Sequence, residues 1–207
     1  RRFKVHHEAG KYVLRMPYQR KDFLASSDMN FRPVWHTTGP DGCLYVIDLY
    51  HGIIQDGAYF RQPNSGLRKT ILKFGLDKNV GRGRIWRVVH KNFQRDTTRP
   101  RMLDQNSPDL LQYLAHPNGW WRDTAQKIIV LRRDKSVVSA LKKMASEEKS
   151  ALGRMHALWT LDGMGATDQQ LVIASLKDPD PRMRQTATRL CEQFIKPGKT
   201  GEASLVI

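Results

Sequence analysis

The sequence predicts a chain of two structural classes, a β-structured part followed by an all-α part. Before about residue 100, apolar residues come in short runs bounded by Gly, Pro, Asn and Asp, as in β-strands. After that point they recur with a helical period. Within the helical part, the pattern R-x-x-A occurs at residues 122, 154 and 184, with spacings of 32 and 30 residues. A repeat of this length is typical of stacked helix pairs, the α-solenoid arrangement.

The β-structured part is predicted to hold four strands and one short helix. The strands are expected at residues 12–16, 31–35, 43–48 and 84–89. Pro40 and Gly42 favour a tight turn before the third strand, because Pro presets φ and Gly accepts a positive φ. The spacing of apolar residues over 67–76 predicts a helix inserted in a loop.

The helical part is predicted to hold six helices, separated by breaks that contain Pro or Gly. Asp109, Ser150, Thr167 and Asp180 lie where a side-chain oxygen could cap a helix N-terminus. In the repeat, the small Ala allows close helix packing, and the Arg three residues earlier can reach the adjacent turn. The helices are expected at residues 108–115, 119–132, 135–146, 150–164, 168–176 and 182–195.

Composition excludes several classes of protein. The 207 residues carry 35 Lys and Arg against 20 Asp and Glu, and no apolar run is long enough for a membrane-spanning helix. Cys43 and Cys191 are too few for a disulfide framework, and no C-x-x-C-H motif for covalent haem occurs. Residues 1–100 hold 19 of the basic and 8 of the acidic residues. Such a surface suits an acidic partner, an anionic membrane or nucleic acid, but no nucleic-acid-binding signature is present.

Several motifs resemble one family of proteins. They are F-R-P-V at residues 31–34, G-P-D-G at 39–42, L-Y-V-I-D at 44–48 and G-R-G-R-I-W-R at 81–87. In this order they are similar to the last blades of the sorbosone-type, quinoprotein-like sugar dehydrogenase β-propellers of multidomain secreted bacterial proteins. Residues 115–125 and 153–161 resemble the HEAT-type repeats that follow those propellers. The resemblance covers about residues 20 to 196.

The resemblance implies a fold class of a partial β-propeller followed by an α–α superhelix of HEAT-like repeats. The expected domains are terminal propeller blades over residues 1–95, a linker over 96–106, helical repeats over 107–197 and a tail over 198–207. A complete propeller needs several four-stranded blades around one axis. The chain is therefore expected to be a C-terminal fragment that begins inside the propeller.

Three residues are candidates for cofactor binding, because strand ends line the axial funnel of a propeller. They are Arg32, Asp48 and Tyr50, with His51 beside them, where the family more often has Arg. The fork of Arg32 suits a carboxylate of a quinone. The alternative is that Arg32 pairs with Asp48 or with backbone carbonyls while Tyr50 packs. No catalytic residues are identified, and no metal site is predicted, because His6–His7–Glu8 has no third spaced ligand.

The function implied by the resemblance is part of an exported, periplasmic or secreted oxidoreductase that acts on a sugar. Pyrroloquinoline quinone and calcium are expected in the full-length parent, and this fragment alone is expected to be inactive. The helical repeats would serve as a scaffold or docking surface toward an electron-accepting c-type cytochrome. The alternative is a non-enzymatic interaction scaffold that binds another domain or an acidic polymer. Nucleic-acid binding is a third, less favoured interpretation.

Overall fold

The computed structural model describes residues 3–9, 11–18, 21–53, 57, 62–63, 65–197 and 203–205. The expected tail over 198–207 therefore lies largely outside the described residues. The chain divides into two compact units. We call residues 1–37 and 44–89 the sheet unit, and residues 38–43 and 90–207 the helical unit.

The sheet unit contains two separate small sheets. Strands β1 (Lys4–Glu8) and β2 (Lys11–Arg15) form an antiparallel ribbon. Strands β3 (Pro33–Thr38), β4 (Leu44–Asp48) and β5 (Arg84–Val88) form a sheet in that order. Helix α1 (Gly66–Phe74) confirms the predicted helix before the last strand. Strand β1 is missing from the sequence prediction, because its sequence KVHHE contains only one strongly apolar residue.

The fold class predicted from the sequence, a partial β-propeller followed by a HEAT-like superhelix, is wrong. A propeller blade has four strands, whereas the largest sheet among the described residues has three. The remaining strands in the described part form separate two-stranded pairs, and the described residues combine these small sheets with seven α-helices. The physical reason is that alternating apolar runs identify strands locally, but they do not determine how many strands pair in one sheet.

The helical unit contains six of these seven helices. They are α2 (Ser107–Leu110), α3 (Gly119–Arg132), α4 (Val138–Glu147), α5 (Ala151–Gly163), α6 (Gln169–Ser175) and α7 (Pro181–Cys191). Short 3₁₀ turns lie at Met102–Asp104, Leu111–Ala115, Lys135–Val137 and Glu192–Phe194. Two antiparallel strands follow, β6 (Ile195–Pro197) and β7 (Ala203–Leu205). Among the described residues, no helix is both long and apolar enough to cross a lipid bilayer.

Two of the four predicted capping residues are the observed N-caps. Ser150 and Asp180 cap α5 and α7, as predicted from the sequence. Thr167 is not the cap of α6, because the neighbouring Asp168 takes that role. Asp109 lies inside the first turn of α2 rather than before it. The errors are of one position for α6 and three positions for α2, where Asn106 is the cap, and both helices have several capping residues close together.

One apolar core holds the helical unit together, and α5 lies at its centre. Helix α5 packs against α3, α4 and α7. Leu158 and Leu161 of α5 are fully buried in this core. The other fully buried leucine and isoleucine side chains come from the surrounding segments and are Leu110, Leu114, Ile129 and Leu141. The core therefore depends on side chains from most of the helices of the unit.

The first prediction concerns this core. We expect Leu158→Ala to lower the free energy of unfolding by about 2–5 kcal/mol, because a fully buried leucine leaves a cavity that its neighbours fill only in part. Leu131→Ala is the matched control, since Leu131 is 72% exposed on α3. Urea denaturation of both variants measures the difference. Equal losses in the two variants would contradict the described core.

Candidate functional site

The predicted cofactor residues surround one buried carboxylate in the sheet unit. Asp48 ends strand β4, and its side chain is only 1% exposed. Its Oδ1 accepts hydrogen bonds from the backbone N–H groups of Arg32, at 2.8 Å, and Tyr50, at 2.9 Å. Its Oδ2 accepts from Trp86 Nε1 at 3.0 Å. We call Arg32, Asp48, Tyr50, Arg84 and Trp86 the Asp48 cluster.

The Asp48 carboxylate stays ionised in spite of its burial. Burial by itself would raise its pKa, because a charge is less well solvated inside the protein. The hydrogen bonds from Arg32, Trp86 and Tyr50 and the positive charge of Arg84 outweigh this effect, so that the pKa is lowered. Arg84 Nε lies 3.8 Å from Asp48 Oδ2. Asp48 is therefore an acceptor of hydrogen bonds and is not poised to donate a proton at neutral pH.

The Arg32 guanidinium is also used within the sheet unit. It donates to Phe31 O at 2.9 Å and to Gly52 O at 3.1 Å. Next to it, His51 Nδ1 lies 2.7 Å from Asn79 O, and because a carbonyl only accepts, this nitrogen carries the proton. These contacts agree with the alternative interpretation of Arg32, in which its side chain holds backbone carbonyls.

Tyr50 packs rather than presenting its ring to a ligand. Its backbone is left-handed, with φ of 48°. The guanidinium of Arg84 lies 3.4 Å from the centroid of the Tyr50 ring, a cation–π contact. Arg84 is a member of the cluster that the sequence did not identify. The register of β4 and β5 places Arg84 opposite Asp48. This register cannot be predicted from the sequence until the pairing of the two strands is known.

The three predicted residues are engaged in contacts within the sheet unit. Both oxygens of Asp48 and both terminal nitrogens of Arg32 already have protein partners, and Tyr50 is covered by Arg84. We therefore derive no step through a cofactor at these residues. Over the residues that the structure describes, no three His, Cys, Asp or Glu side chains come together as a group that could hold a metal ion. The expectation of pyrroloquinoline quinone and calcium concerned the longer parent and stays a prediction.

A second group of side chains, in the helical unit, explains the R-x-x-A repeat. We call Arg122, Arg154 and Arg184 the arginine ladder. Nη1 of each donates to the two backbone carbonyls five and six residues before it, at 2.5 to 3.2 Å. These carbonyls lie just before the helix that carries the arginine. The prediction that each Arg reaches the adjacent turn is thus confirmed. The alanines three residues later, Ala125, Ala157 and Ala187, are fully buried.

The middle arginine of the ladder also binds a carboxylate. Nε and Nη2 of Arg154 donate to the two oxygens of Asp178, both at 2.8 Å. Both side chains are about nine-tenths buried, at 11% and 10% exposure. The hydrogen bond with Arg154 is the main cause that lowers the pKa of Asp178. This bidentate pair joins the start of α5 to the turn before α7 and is a strong form of carboxylate recognition.

The turns that precede the ladder helices have a common geometry. Glu148 and Asp178 each accept a hydrogen bond from the backbone N–H two residues later, at 3.0 and 2.8 Å. His116 occupies the equivalent place, and its Nδ1 accepts from Asn118 N at 3.0 Å. His116 therefore acts as an acceptor at a helix start and not as a donor to carbonyls at a helix end. Its ring faces the start of α3, where N–H groups need acceptors.

The two adjacent tryptophans of α3 lie at the same helix start. Trp121 is buried, stacks on Tyr113 with a centroid distance of 5.3 Å, and donates its Nε1–H to Pro40 O at 3.0 Å. Trp120 is half-buried and meets Trp121 edge to face. Both rings therefore pack within the helical unit.

A shallow groove runs between α3 and α5 on the surface of the helical unit. Its volume is about 450 Å³, and Val130 and Trp159 contribute apolar surface to it. Asp123, Lys127 and Asp162 add charges of both signs. Next to it, His156 Nδ1 lies 2.7 Å from Gln126 Oε1. Burial first, and the charge of Arg122 second, lower the pKa of His156.

Comparison with known proteins adds a match over the sheet unit. Residues 1–92 match the family model described as a domain of unknown function (DUF7133). No curated protein and no solved structure matches the chain. The match covers the sheet unit and less than half of the chain. The chain is thus similar to that family over its first part.

The second prediction tests the role of Asp48. We expect Asp48→Asn to lower the free energy of unfolding of the sheet unit by about 2–4 kcal/mol at pH 7, because Trp86 Nε1 loses its acceptor and Arg84 loses its opposite charge, while the remaining amide oxygen can still accept from Arg32 and Tyr50. The folded-state pKa lies below 3.8, so the wild-type advantage should be complete well above pH 3.8 and should be lost as the pH falls through the folded-state value.

Urea denaturation between pH 3 and 7 measures this difference. Asp77→Asn is the control, because Asp77 is exposed and lies in the same unit. A loss for Asp48→Asn that stays the same from pH 7 to pH 3 would contradict an ionised, hydrogen-bonded Asp48.

The third prediction concerns the buried pair of the ladder. We expect Arg154→Gln and Asp178→Asn each to cost about 3–5 kcal/mol of stability, because each leaves one buried charge unpaired. The double variant should lose less than the sum of the two, by about 1–3 kcal/mol. Arg189→Gln is the control, since Arg189 and Glu192 form an exposed pair of little weight. Additive losses would show that the pair is not coupled.

Proposed function

We propose that the chain is a docking module of a larger sugar-dehydrogenase-like oxidoreductase, and that its helical unit binds the electron-accepting c-type cytochrome. The observation that carries this proposal is the arginine ladder, in which a guanidinium held by backbone carbonyls takes a carboxylate on its other edge. Such a fork is already oriented before a partner arrives, so less side-chain entropy is lost on binding. An acidic face on the cytochrome would complement it.

The state of the Asp48 cluster supports a structural role in this part of the chain rather than a catalytic one. Its carboxylate accepts three hydrogen bonds and faces Arg84, which leaves no acceptor free to remove a proton from a substrate. In this proposal the sugar and the quinone bind to other parts of a longer, exported protein. The sheet unit and the helical unit then serve as a scaffold.

The surface of the groove between α3 and α5 resembles that of a protein–protein interface. Apolar side chains such as Trp159 lie in it, and charged residues surround them. Stable protein interfaces commonly have an apolar centre and a polar rim. The exposed Lys127 provides a positive charge at this rim. The groove is thus the part of the helical unit that would lie under a docked domain.

The second candidate function is a non-enzymatic interaction scaffold, and the sheet unit favours it. Its surface contains an apolar pocket of about 530 Å³, lined in part by Phe23, Leu24 and Val34. Trp35, which also lines the pocket, is 65% exposed. A contiguous apolar surface of this kind commonly marks a site of protein interaction. This role would need no oxidoreductase and no cytochrome.

The fourth prediction distinguishes these functions. We expect the immobilised full chain to retain an acidic c-type cytochrome, and the affinity to fall about tenfold between about 50 and 200 mM salt, because the attraction is between opposite charges. A basic c-type cytochrome should pass without retention. Surface plasmon resonance measures both. Lys127→Glu should weaken the retention of the acidic cytochrome, if the groove takes part.

Two further analytes complete this experiment. An acidic protein without haem, matched in net charge, should bind more weakly than the acidic cytochrome. Equal binding of the two would favour the general interaction scaffold over cytochrome docking. A short DNA duplex should bind more weakly than either protein, and tighter DNA binding would contradict both proposals.

A further inference from the structure

The last arginine of the ladder repeats the arrangement of the middle one without its carboxylate. Nη1 of Arg184 donates to Asp178 O at 2.8 Å and to Pro179 O at 3.0 Å. Nη1 of Arg154 makes the same two contacts with Glu148 O and Lys149 O. These bonds hold each guanidinium by one end and leave the Nε–Nη2 edge for another partner.

The two arginines differ in what contacts their Nε–Nη2 edge. In Arg154 it is closed by the carboxylate of Asp178. In Arg184 the described part of the chain places no carboxylate on that edge, and the side chain is exposed to solvent. Its neighbours on α7 are already paired, since Arg182 binds Asp180 and Arg189 binds Glu192.

We propose that the Nε–Nη2 edge of Arg184 is a binding site for an aspartate at the start of a helix in a partner protein. This inference deepens the proposed docking function and rests on it for the existence of an acidic partner. The ligand class follows from the internal example. Asp178 Oδ1 accepts from Arg154 Nη2 and from Asp180 N, the N-cap residue two positions later. An aspartate two residues before a helix N-cap therefore presents its carboxylate in the required direction.

A second copy of this chain is a poor source of that aspartate. Its own turns before the ladder helices begin with His116, Glu148 and Asp178. Asp104, which lies two residues before the N-cap Asn106, is paired with Arg101. Asp178 is already buried against Arg154, and His116 has no carboxylate. Glu148 occupies the corresponding place for Arg122, yet Arg122 Nε is buried without a partner. The glutamate side chain thus does not provide this contact even within the chain.

The site can be tested on the full wild-type chain with two synthetic peptides. Both are Ala- and Gln-rich helices, one beginning with Asp-Pro-Asp-Pro, as residues 178–181 do, and the other with Asn-Pro-Asp-Pro. We expect the first to shift the Nε–Hε resonance of Arg184 saturably in NMR spectra of the nitrogen-15-labelled chain. The Asn peptide should bind about tenfold more weakly, because a bidentate charged hydrogen bond is lost.

Two variants of the chain and inorganic phosphate serve as controls for this experiment. Arg184→Lys should identify the resonance and weaken binding of the Asp peptide, whereas Arg189→Lys on the same helix should leave the affinity unchanged. Equal affinities for the two peptides, or no shift with either, would overturn the proposal. So would an equal response to inorganic phosphate, which would indicate a general anion site. Failure here leaves retention of the acidic cytochrome by the wild-type chain unaffected, and loss of that retention leaves the peptide response intact.

Discussion

The bonds from the ladder arginines to the carbonyls before their own helices are the interaction on which the helical unit depends. Carbonyls at the end of a helix or turn have no intrahelical donor, and they are costly to bury unpaired. One Nη1 group satisfies two of them at once and fixes the direction in which the next helix starts. A lysine ammonium lacks the planar fork that keeps the other edge oriented.

This interaction also explains why alanine follows three residues after each arginine. One turn along the helix, the side chain points toward the core on a neighbouring face. There Ala125, Ala157 and Ala187 are fully buried, and a larger residue would push the helix away from its neighbours. The arginine holds the helix start, and the alanine lets the helix approach. The R-x-x-A pattern is therefore one structural device with two parts, repeated three times.

The sequence predicted what local patterns determine and missed what pairing determines. Helix α3 has its predicted limits, and the ladder arginines act as expected, because periodicity and capping are local. The propeller was wrong, since a strand pattern does not count the strands of a sheet. Arg84 was missed for the same reason, as its position opposite Asp48 depends on strand register. Likewise, Asn118 Nδ2 donates to Gly39 O, a contact 79 residues apart in the chain that no local signal encodes.

The charged groups of the two units differ in whether all their hydrogen-bonding atoms are occupied. In our proposal, this difference decides which unit binds a partner. A three-stranded sheet buries little apolar area, so a buried carboxylate that ties three strands together adds stability which the small core does not supply. Asp48 does so only because all its acceptors are occupied. A ladder arginine is different, since the bonds that fix it use one end of the guanidinium and leave the other edge oriented. A side chain that is held in place and still has free hydrogen-bond donors can bind a ligand. A side chain whose hydrogen-bonding atoms are all occupied only stabilises its own fold. The proposed recognition of acidic partners therefore rests on the helical unit and not on Asp48.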